Sequence, residues 1–384
     1  MDWSINALVM SEPVVAIIAA VAVAGFVILM IPVIMNVVDL APYMYTNAKI
    51  RALEAGLLKK QKLEDLKNSK TQIDCVSTLE NTDYGAYLTK MTDPACEDGL
   101  EKALNQHTSD IYSKVVRTVP SEVKNVIKDL LKIYDAKNIK MVFRCLKDDK
   151  FPVEARADLV IPIGTLKEHI LKALIESKTI EEAVSELEST EYGKTVSEAM
   201  QQVEEQKSLL PLELAIDKYV YEKAHGKIAL SKEKNMVAVN LLLGTKIDTL
   251  NLKTLLRMRA AGSSVENIDD FIINASYNLS KDKLKTIAKA ETIDEILSQL
   301  EGTNYSEVLA EVSTTFKDTG SLYQIENKLD AHYEQTAKQL SVKNGLGLGP
   351  ALYLITGKEV DARKIRMFSS FNHSGIDIET GGAV

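Results

Sequence analysis

The side chains that could support catalysis or metal binding are few in this sequence, and they are far apart. None of the five histidines forms an HxxxH, HxxE or HExxH pattern, the spacings that place two ligands on one helix face. These histidines are His107, His169, His225, His332 and His373. No GxSxG nucleophile motif is present either. The sequence therefore predicts no catalytic residue, no metal site and no cofactor.

Two glycine-containing segments resemble phosphate-binding loops only superficially. In the segment GLGLGP, at 345–350, no predicted strand precedes the glycines and no Lys-Ser or Lys-Thr pair follows at P-loop spacing. The pair Gly357-Lys358 is followed by Glu359, which does not match a Walker motif. We interpret the glycines at 345–349 as a hinge leading into a helix, and we expect no small-molecule substrate.

Charge and cysteine content exclude further classes of protein. The chain has 384 residues and a net charge of -8, which argues against a nucleic-acid partner because phosphate binding needs clustered Lys and Arg. The three cysteines, Cys75, Cys96 and Cys145, form no CxxC pair. An odd number of isolated thiols favours a reducing compartment, and we interpret all three as small core residues.

One basic cluster near the C-terminus has the chemistry of a protein contact. Arg363, Lys364 and Arg366 lie within one predicted helix, and we hypothesise that they form a basic face at a subunit contact. The alternative is an ordinary solvated helix surface. In that case a pair such as Glu359 and Arg363, four residues apart, contributes little stability.

An apolar segment near the N-terminus determines where the rest of the chain lies relative to a membrane. Residues 14–38 carry no charge, and about 20 apolar residues suffice for a helix to cross the hydrocarbon core of a bilayer. The preceding residues include Asp2 and Glu12 but no Lys or Arg, and the run is longer than a signal-peptide core. We therefore predict an uncleaved transmembrane helix at 14–38, rather than a cleaved signal peptide.

The flanking charges predict how this helix is oriented. Four basic residues follow it closely: Lys49, Arg51, Lys59 and Lys60. The positive-inside rule then places the soluble part in the cytoplasm and residues 1–13 on the other side of the cell membrane. Ala16, Ala20 and Ala24 share one helix face, which we predict to pack against another membrane helix. The alternative is an alanine-rich face exposed to lipid.

The rest of the chain reads as helix. Lys, Glu, Leu and Ala dominate after residue 39, and apolar residues recur at spacings of three and four. Long helical runs are predicted from Pro120 to about 148, from about 231 to 261, and from Pro350 to about 368. No alternating strand pattern is convincing, so the predicted fold class is all-α.

An internal repeat organises these helices. Related heptapeptides, LENTDYG, LESTEYG and LEGTNYS, begin at Leu79, Leu187 and Leu300, each eight residues after a threonine. Asp135, Asp248 and Asp361 follow one another at a constant sequence offset of 113. Many matches at one offset indicate a threefold repeat, and the period is too long for tetratricopeptide, HEAT or ankyrin arrays.

The repeat predicts three helical bundles related by pseudo-threefold symmetry. We place them at 39–137, 138–250 and 251–368, followed by a C-terminal tail at 369–384. The last long helix, around Asp361, is expected to complete the third bundle. A closed ring or funnel is predicted, with an open arc as the alternative.

The repeated polar residues have structural interpretations. Three threonines are predicted to cap helix N-termini, where a side-chain oxygen accepts an orphan backbone N–H. They are Thr82, Thr190 and Thr303. Three tyrosines are predicted to fill space between helices. They are Tyr84, Tyr192 and Tyr305.

Three longer segments resemble a known family. They are YTNAKIRALEAGLL at 45–58, IDTLNLKTLLRMR at 247–259 and GLGPALYLITGKEVDARKIR at 347–366. Each is similar to the C subunit of archaeal A-type and related V-type ATP synthases. The resemblance extends over about residues 40–370 and includes the threefold repeat.

The resemblance implies a non-catalytic rotor subunit shaped as an all-helical funnel. In that family the funnel is a socket: its broad face lies on the proteolipid ring, built from the K subunit, and its cavity receives the central-stalk D and F subunits. Torque then passes between ion flow and ATP synthesis. The transmembrane helix at 14–38 is hypothesised to enter the pore of the ring.

Two other classes of function stay open at this point. One is a membrane-tethered helical scaffold for a different cytoplasmic partner. The other is a membrane-bound enzyme whose site is assembled from residues distant in sequence, which a motif search does not detect.

Overall fold

The computed structural model describes residues 12–91, 93–94, 96–148, 151–229, 234–262, 268–275, 277–319 and 321–374. Within these ranges the chain is helical and contains no strand, so the all-α prediction is confirmed. Predictions for residues 1–11, for 231–233 and for the tail from 375 lie outside the described residues.

The first helix, α1, runs without interruption from Glu12 to Glu54 and contains both Pro32 and Pro42. By length and composition it is able to cross a membrane, and none of its most apolar stretch is buried in the protein. The helix does not end at residue 38. It continues for about four further turns into the soluble part, where Tyr43 and Ile50 are buried.

Three pairs of long helices form the frame of the soluble part. The pairs are α5 (Glu97–Thr118) with α17 (Gly349–Ser374), α6 (Ser121–Asp148) with α11 (Leu210–Ile228), and α12 (Lys234–Ala260) with α16 (Tyr323–Lys343). Short helices cover the outer half of each pair and complete three bundles.

The short helices of the first bundle are α2 (Lys60–Lys67), α3 (Gln72–Glu80) and α4 (Gly85–Leu88). Those of the second are α7 (Val153–Leu159), α8 (Glu168–Glu176), α9 (Ile180–Leu187) and α10 (Gly193–Gln206). Those of the third are α13 (Lys281–Ala288), α14 (Ile293–Gln299) and α15 (Asn304–Thr319).

Each long helix contributes to two hydrophobic cores. In α6, Ile127 and Tyr134 lie in a core shared by all three helix pairs, whereas Ile139 and Phe143 lie in the core of the second bundle. The other long helices divide in the same way between the shared core and the core of one bundle. The long helices therefore converge at one end, which we call the base, and diverge into separate bundles at the other.

The sequence-based bundle boundaries at 137/138 and 250/251 fall inside α6 and α12. They lie close to the points where these two helices pass from the shared core into the core of one bundle. As ranges for three domains they stay a prediction.

The six long helices close into a ring, because each contacts the next in the order α5, α6, α11, α12, α16, α17 and back to α5. The expectation that the last helix completes the third bundle is wrong. Ile365 and Phe368 of α17 pack in the core of the first bundle, against Leu66 and Leu79. In that bundle α17 occupies the position that α6 and α12 occupy in theirs.

Hydrogen bonds at the repeated aspartates give independent support for this closure. Asp135 accepts the backbone N–H of Thr165 at 2.7 Å, 30 residues later, and Asp248 accepts that of Asn278 at 3.0 Å, again 30 residues later. Asp361 accepts instead the N–H of Leu58 at 3.1 Å, from the first bundle. Burial raises the pKa of both Asp248 and Asp361 to about 6.

The repeated tyrosines hold the same aspartates in two of the three bundles. The hydroxyl of Tyr192 donates to Asp135 at 2.9 Å, and that of Tyr305 donates to Asp248 at 3.1 Å. The hydroxyl of Tyr84 is buried and has no hydrogen-bond partner among the described residues. All three tyrosines are fully buried, and two of them donate to a buried carboxylate.

The repeated threonines act in two different turns. Thr71, Thr179 and Thr292 each cap a helix by accepting a backbone N–H three residues later. Of the threonines predicted as caps, Thr303 directly precedes α15 and accepts the N–H of the second residue of that helix, so the prediction is confirmed there. Thr82 and Thr190 are not caps, because α4 and α10 begin three residues after them. All three threonines stabilise the turn that leads into the next helix. In each, the hydroxyl donates to a leucine carbonyl at 2.6 Å and accepts the tyrosine N–H.

We expect Tyr192→Phe to lower the free energy of unfolding by about 2 kcal/mol, because it removes a buried hydrogen bond to a carboxylate. Tyr84→Phe is the matched control, since its hydroxyl has no partner in the described part of the chain. Urea unfolding of the full-length chain in detergent micelles, followed by circular dichroism, measures both. Equal losses in the two variants would contradict the role assigned to the tyrosine–aspartate contact.

Candidate subunit interface

A narrow cavity of about 40 Å³ lies where α6, α12 and α17 meet. Ile133, Lys246 and Glu359 line it, and the same offset of 113 relates each of them to the next. Residues at equivalent positions of three repeats surround one cavity only if it lies on the pseudo-threefold axis. The axis is therefore lined by an apolar, a basic and an acidic residue, which makes it chemically asymmetric.

Glu359 binds two lysines at this axis. One of its oxygens, Oε1, accepts hydrogen bonds from Lys246 Nζ at 3.1 Å and from Lys137 Nζ at 3.3 Å. Each ammonium also lies over an aromatic ring, Lys137 at 4.4 Å from the centroid of Tyr134 and Lys246 at 4.6 Å from that of Tyr333. The lysines are thus fixed by both a carboxylate and a ring.

Burial and charge act in opposite directions on these groups. Burial alone would raise the pKa of Glu359, but Lys246 and Lys137 outweigh it and hold that pKa below its usual range. Burial lowers the pKa of Lys137, and Glu359 only partly compensates. The Lys137 side chain is 41% exposed and that of Lys246 only 14%, so Lys137 lies on the open side of the cluster.

From the axial cavity toward their diverging ends, α6, α12 and α17 carry a series of basic residues. Equivalent cations follow at intervals of about one turn, and we call them the basic column. They are Lys137 and Arg363, then Lys140, Lys253 and Arg366, then Arg144 and Arg257. Each of these cations forms an ion pair with a carboxylate.

The pairs repeat with the sequence. Lys140–Asp217 and Lys253–Asp330 both measure 2.6 Å, and they occupy equivalent positions of the second and third repeats. Arg144 and Arg257 each bind a glutamate through two parallel hydrogen bonds. The paired helices α6 with α11 and α12 with α16 are therefore joined by the same polar contacts.

The three predicted basic contact residues all lie on α17 but point to different neighbours. Arg363 pairs with Asp330 and Lys364 with Glu334 at 3.2 Å, both on α16. Arg366 turns toward α5, where it binds Glu101 at 2.7 Å. They are not one free basic face, and their contact with another subunit stays a prediction.

The polar contacts at the axis were missed at the level of sequence. The spacing of four residues suggests a helical pair of Glu359 with Arg363, whereas Arg363 binds Asp330. One signal was present: Lys246 and Glu359 occupy equivalent repeat positions with opposite charges. Opposite charges at positions that meet on a symmetry axis indicate an ion pair there.

At the base, the soluble part clamps α1 by hydrogen bonds. The Nδ2 of Asn47 donates to the carbonyls of Gly345 and Gly347, both at 3.0 Å, and Thr46 donates to Thr118 at 3.0 Å. A Cβ on Gly347 would lie 2.1 Å from the side-chain oxygen of Asn344. The glycine segment leads into a helix, α17, as predicted, but it is a turn held against α1 by hydrogen bonds.

Exposed apolar side chains surround the point where α1 leaves the base. They are Met44, Tyr45, Val237, Val342 and Leu346, all more than half exposed. Neighbouring residues tie these segments together, since Asn235 donates to the hydroxyl of Tyr43 and Asn47 donates to the turn that contains Leu346. We call this surface the basal collar. Its apolar character is typical of a surface that contacts protein or membrane.

The alanines predicted as a packing face are all exposed on α1. Ala16, Ala20 and Ala24 lie four residues apart on a continuous helix, which places them on one side of it. Their contact with another membrane helix stays a prediction.

No group of metal ligands occurs within the described ranges. Of the three free cysteines, Cys75 and Cys145 are buried, and burial raises the pKa of Cys75 to about 11. Cys96 is exposed and its sulfur caps α5, so the interpretation of all three as core residues is wrong for Cys96.

Comparison with known proteins gives one family. Residues 46–378 match the family model described as ATP synthase (C/AC39) subunit. The C subunit of the A-type ATP synthase of Methanocaldococcus jannaschii is 37% identical over 334 residues, which is 86% of this chain and 82% of that protein. The corresponding C subunit of Pyrococcus abyssi is 30% identical, over 88% of both chains.

A third relative matches almost from end to end. The C subunit of the A-type ATP synthase of Methanosphaera stadtmanae is 28% identical over 96% of this chain and 95% of its own length. A match over so much of the chain includes the apolar part of α1, whereas the family model begins only at residue 46.

We expect Glu359→Gln to destabilise the full-length chain by about 3 kcal/mol, because it leaves Lys246 nearly buried without its carboxylate. The double variant K246I/E359I should recover much of this loss, since it repeats the apolar residue found at Ile133. Urea unfolding in micelles measures both, and a double variant less stable than E359Q would contradict the assignment.

The same carboxylate predicts a pH dependence. The pKa of Glu359 is lower in the folded chain than its unfolded value of about 4.3, so its stabilising contribution is present above that pH. It is lost as the pH falls further toward the folded pKa. In E359Q this part of the acid destabilisation should be missing, and an unchanged acid limb would count against the ion-pair cluster.

Proposed function

Because the chain belongs to the ATP synthase (C/AC39) subunit family, and is therefore a non-catalytic subunit of an ATP synthase, we propose that it is the rotor socket of a membrane-bound A-type enzyme. In this role it couples the ion-translocating proteolipid ring to the central stalk and transmits torque during ATP synthesis. The family match favours the synthase over the alternative of a membrane-tethered scaffold for another cytoplasmic partner.

The closed ring of helix pairs is the observation that carries this proposal. A closed ring resists twisting better than an open arc, since no pair of long helices is free to slide away from its neighbours. Toward the diverging ends, an open groove between α5, α6 and α17 is lined by four residues of the basic column: Lys137, Lys140, Arg144 and Arg366. The central-stalk D and F subunits are proposed to sit there, on a surface that needs shape and polar complementarity but no catalytic group.

The base is proposed to face the membrane and the proteolipid ring, built from the K subunit. α1 leaves the soluble part at this end, and the apolar basal collar surrounds it. The family resemblance implied that the broad face lies on the ring, but the position of α1 favours the convergent end. The protein is then a single-pass protein of the cell membrane with its soluble part in the cytoplasm.

Within the ring, α1 is proposed to occupy the central pore. Its continuity from Glu12 to Glu54 and its clamp at Asn47 would make it turn together with the socket. The axial position of the base supports this, because the long helices that surround the axis converge where α1 leaves the soluble part.

The assembly is tested by affinity purification of the tagged full-length chain from gently solubilised native membranes. We expect mass spectrometry to find the proteolipid, the D and F subunits, and the A and B subunits with it. Recovery of the tagged chain without these proteins, from membranes that contain intact synthase, would overturn the proposed function.

The pore position is tested by a photo-crosslinking residue at Ala20 or Ala24. We expect crosslinks to the proteolipid, and none to it from the control position Lys60, which lies on the exposed side of α2 in the first bundle. Crosslinks from both alanines only to lipid or to unrelated proteins would exclude the pore while leaving the socket role intact.

A further inference from the structure

Lys246 and the cations of the basic column outnumber the carboxylates that pair with them, although the whole chain is acidic. Lys246 and the basic column together supply eight cations on α6, α12 and α17. The carboxylates that pair with them number six: Glu101, Glu213, Asp217, Glu326, Asp330 and Glu359. Two of the six carboxylates therefore each bind two cations, which leaves two positive charges in excess within this set.

The surplus is located at two shared carboxylates. Glu359 binds Lys137 and Lys246 at once, and Asp330 binds both Lys253 and Arg363. The two clusters are neighbours, because Glu359 and Arg363 lie one turn apart on α17. In each cluster one cation is the more exposed: 41% of the Lys137 side chain and 42% of the Arg363 side chain are open to solvent, against 14% and 13% for Lys246 and Lys253.

These two exposed cations occupy equivalent repeat positions. Lys137 and Arg363 are related by two successive offsets of 113, and both lie one helical turn beyond the axial cavity on the diverging side. The third equivalent position is Leu250. The layer therefore presents two cations and one apolar residue to the space that the three bundles enclose.

Lys137 also borders an open groove of about 450 Å³ between α5, α6 and α17. Glu359 and Arg366 line the same groove, so it connects the axial cluster to the basic column. A groove of this size accommodates several side chains of a partner rather than a single ion.

We propose that the layer of Lys137 and Arg363 binds carboxylate side chains on a helix of the central stalk, which would seat the stalk in one rotational orientation. This inference rests on the proposed socket function and adds the chemistry of the contact. A carboxylate that approaches either cation completes a pair in a partly desolvated place, where an uncompensated positive charge is costly.

The chemistry also explains how a single shaft is held by a pseudo-threefold socket. Two of the three equivalent positions are cationic and the third is Leu250, so rotation of a stalk by one third of a turn would bring a carboxylate against an apolar side chain. Such a mismatch is unfavourable, and it selects one orientation out of three.

The test measures binding of the purified D–F central-stalk complex of the same organism to the full-length chain in nanodiscs, over a range of NaCl concentrations. We expect binding to weaken with salt, and Lys137→Gln and Arg363→Gln each to weaken it about tenfold at low salt and to flatten the salt dependence. Neither variant strands a carboxylate, because Glu359 keeps Lys246 and Asp330 keeps Lys253.

Lys223→Gln is the matched control. Lys223 also shares a carboxylate, Glu191, with another lysine, Lys132, but it lies at the contact of α11 with the α9–α10 turn. The affinity of this variant for D–F should stay within about twofold of the wild type. If K137Q and R363Q also bind like the wild type with the same salt dependence, the inference is overturned while the socket function stands. If the wild type does not bind D–F, both this inference and the proposed socket function are overturned.

Discussion

The backbone N–H of Leu58, in the first bundle, donates a hydrogen bond to Asp361 on the last helix, α17. The closed ring depends on this contact between α17 and the first bundle. A buried carboxylate needs hydrogen-bond donors, and the equivalent aspartates obtain them from a loop 30 residues downstream. Asp361 obtains its donor from the first bundle instead. The same bundle supplies the core into which Ile365 and Phe368 pack.

Closure by the last helix makes three bundles out of a sequence that begins a fourth unit. In the first bundle the short helices and α5 need one more long helix, and α1 does not supply it because most of α1 runs away from the soluble part at the base. α17 fills that place. The shared core then holds six long helices in three equivalent pairs, with the last part of α1 packed beside α17.

The backbone follows the threefold repeat, whereas the side chains at the axis differ from one repeat to the next. The repeated aspartates, tyrosines and threonines build three like bundles around one axis. At the axis itself the equivalent residues Ile133, Lys246 and Glu359 differ, and the last two interact because they differ. A symmetric layer of three lysines or three glutamates would repel itself in a place with little water. The asymmetric layer avoids this repulsion, and it makes the three equivalent positions around the axis chemically distinguishable.

The sequence determined the all-α fold, the apolar helix and the threefold repeat, because each leaves a pattern that can be recognised in the sequence alone. These patterns are apolar periodicity, an uncharged run long enough to cross a bilayer, and a constant offset of 113. It did not determine which bundle α17 completes. An offset shows that Asp361 is equivalent to Asp135 and Asp248, but the same offset fits a helix that docks on either neighbouring bundle. Only the tertiary structure decided this, through the core around Phe368 and the donor at Leu58. It likewise decided that Arg363 binds Asp330 and not Glu359, because partners for charged groups are set by distances between helices far apart in the chain.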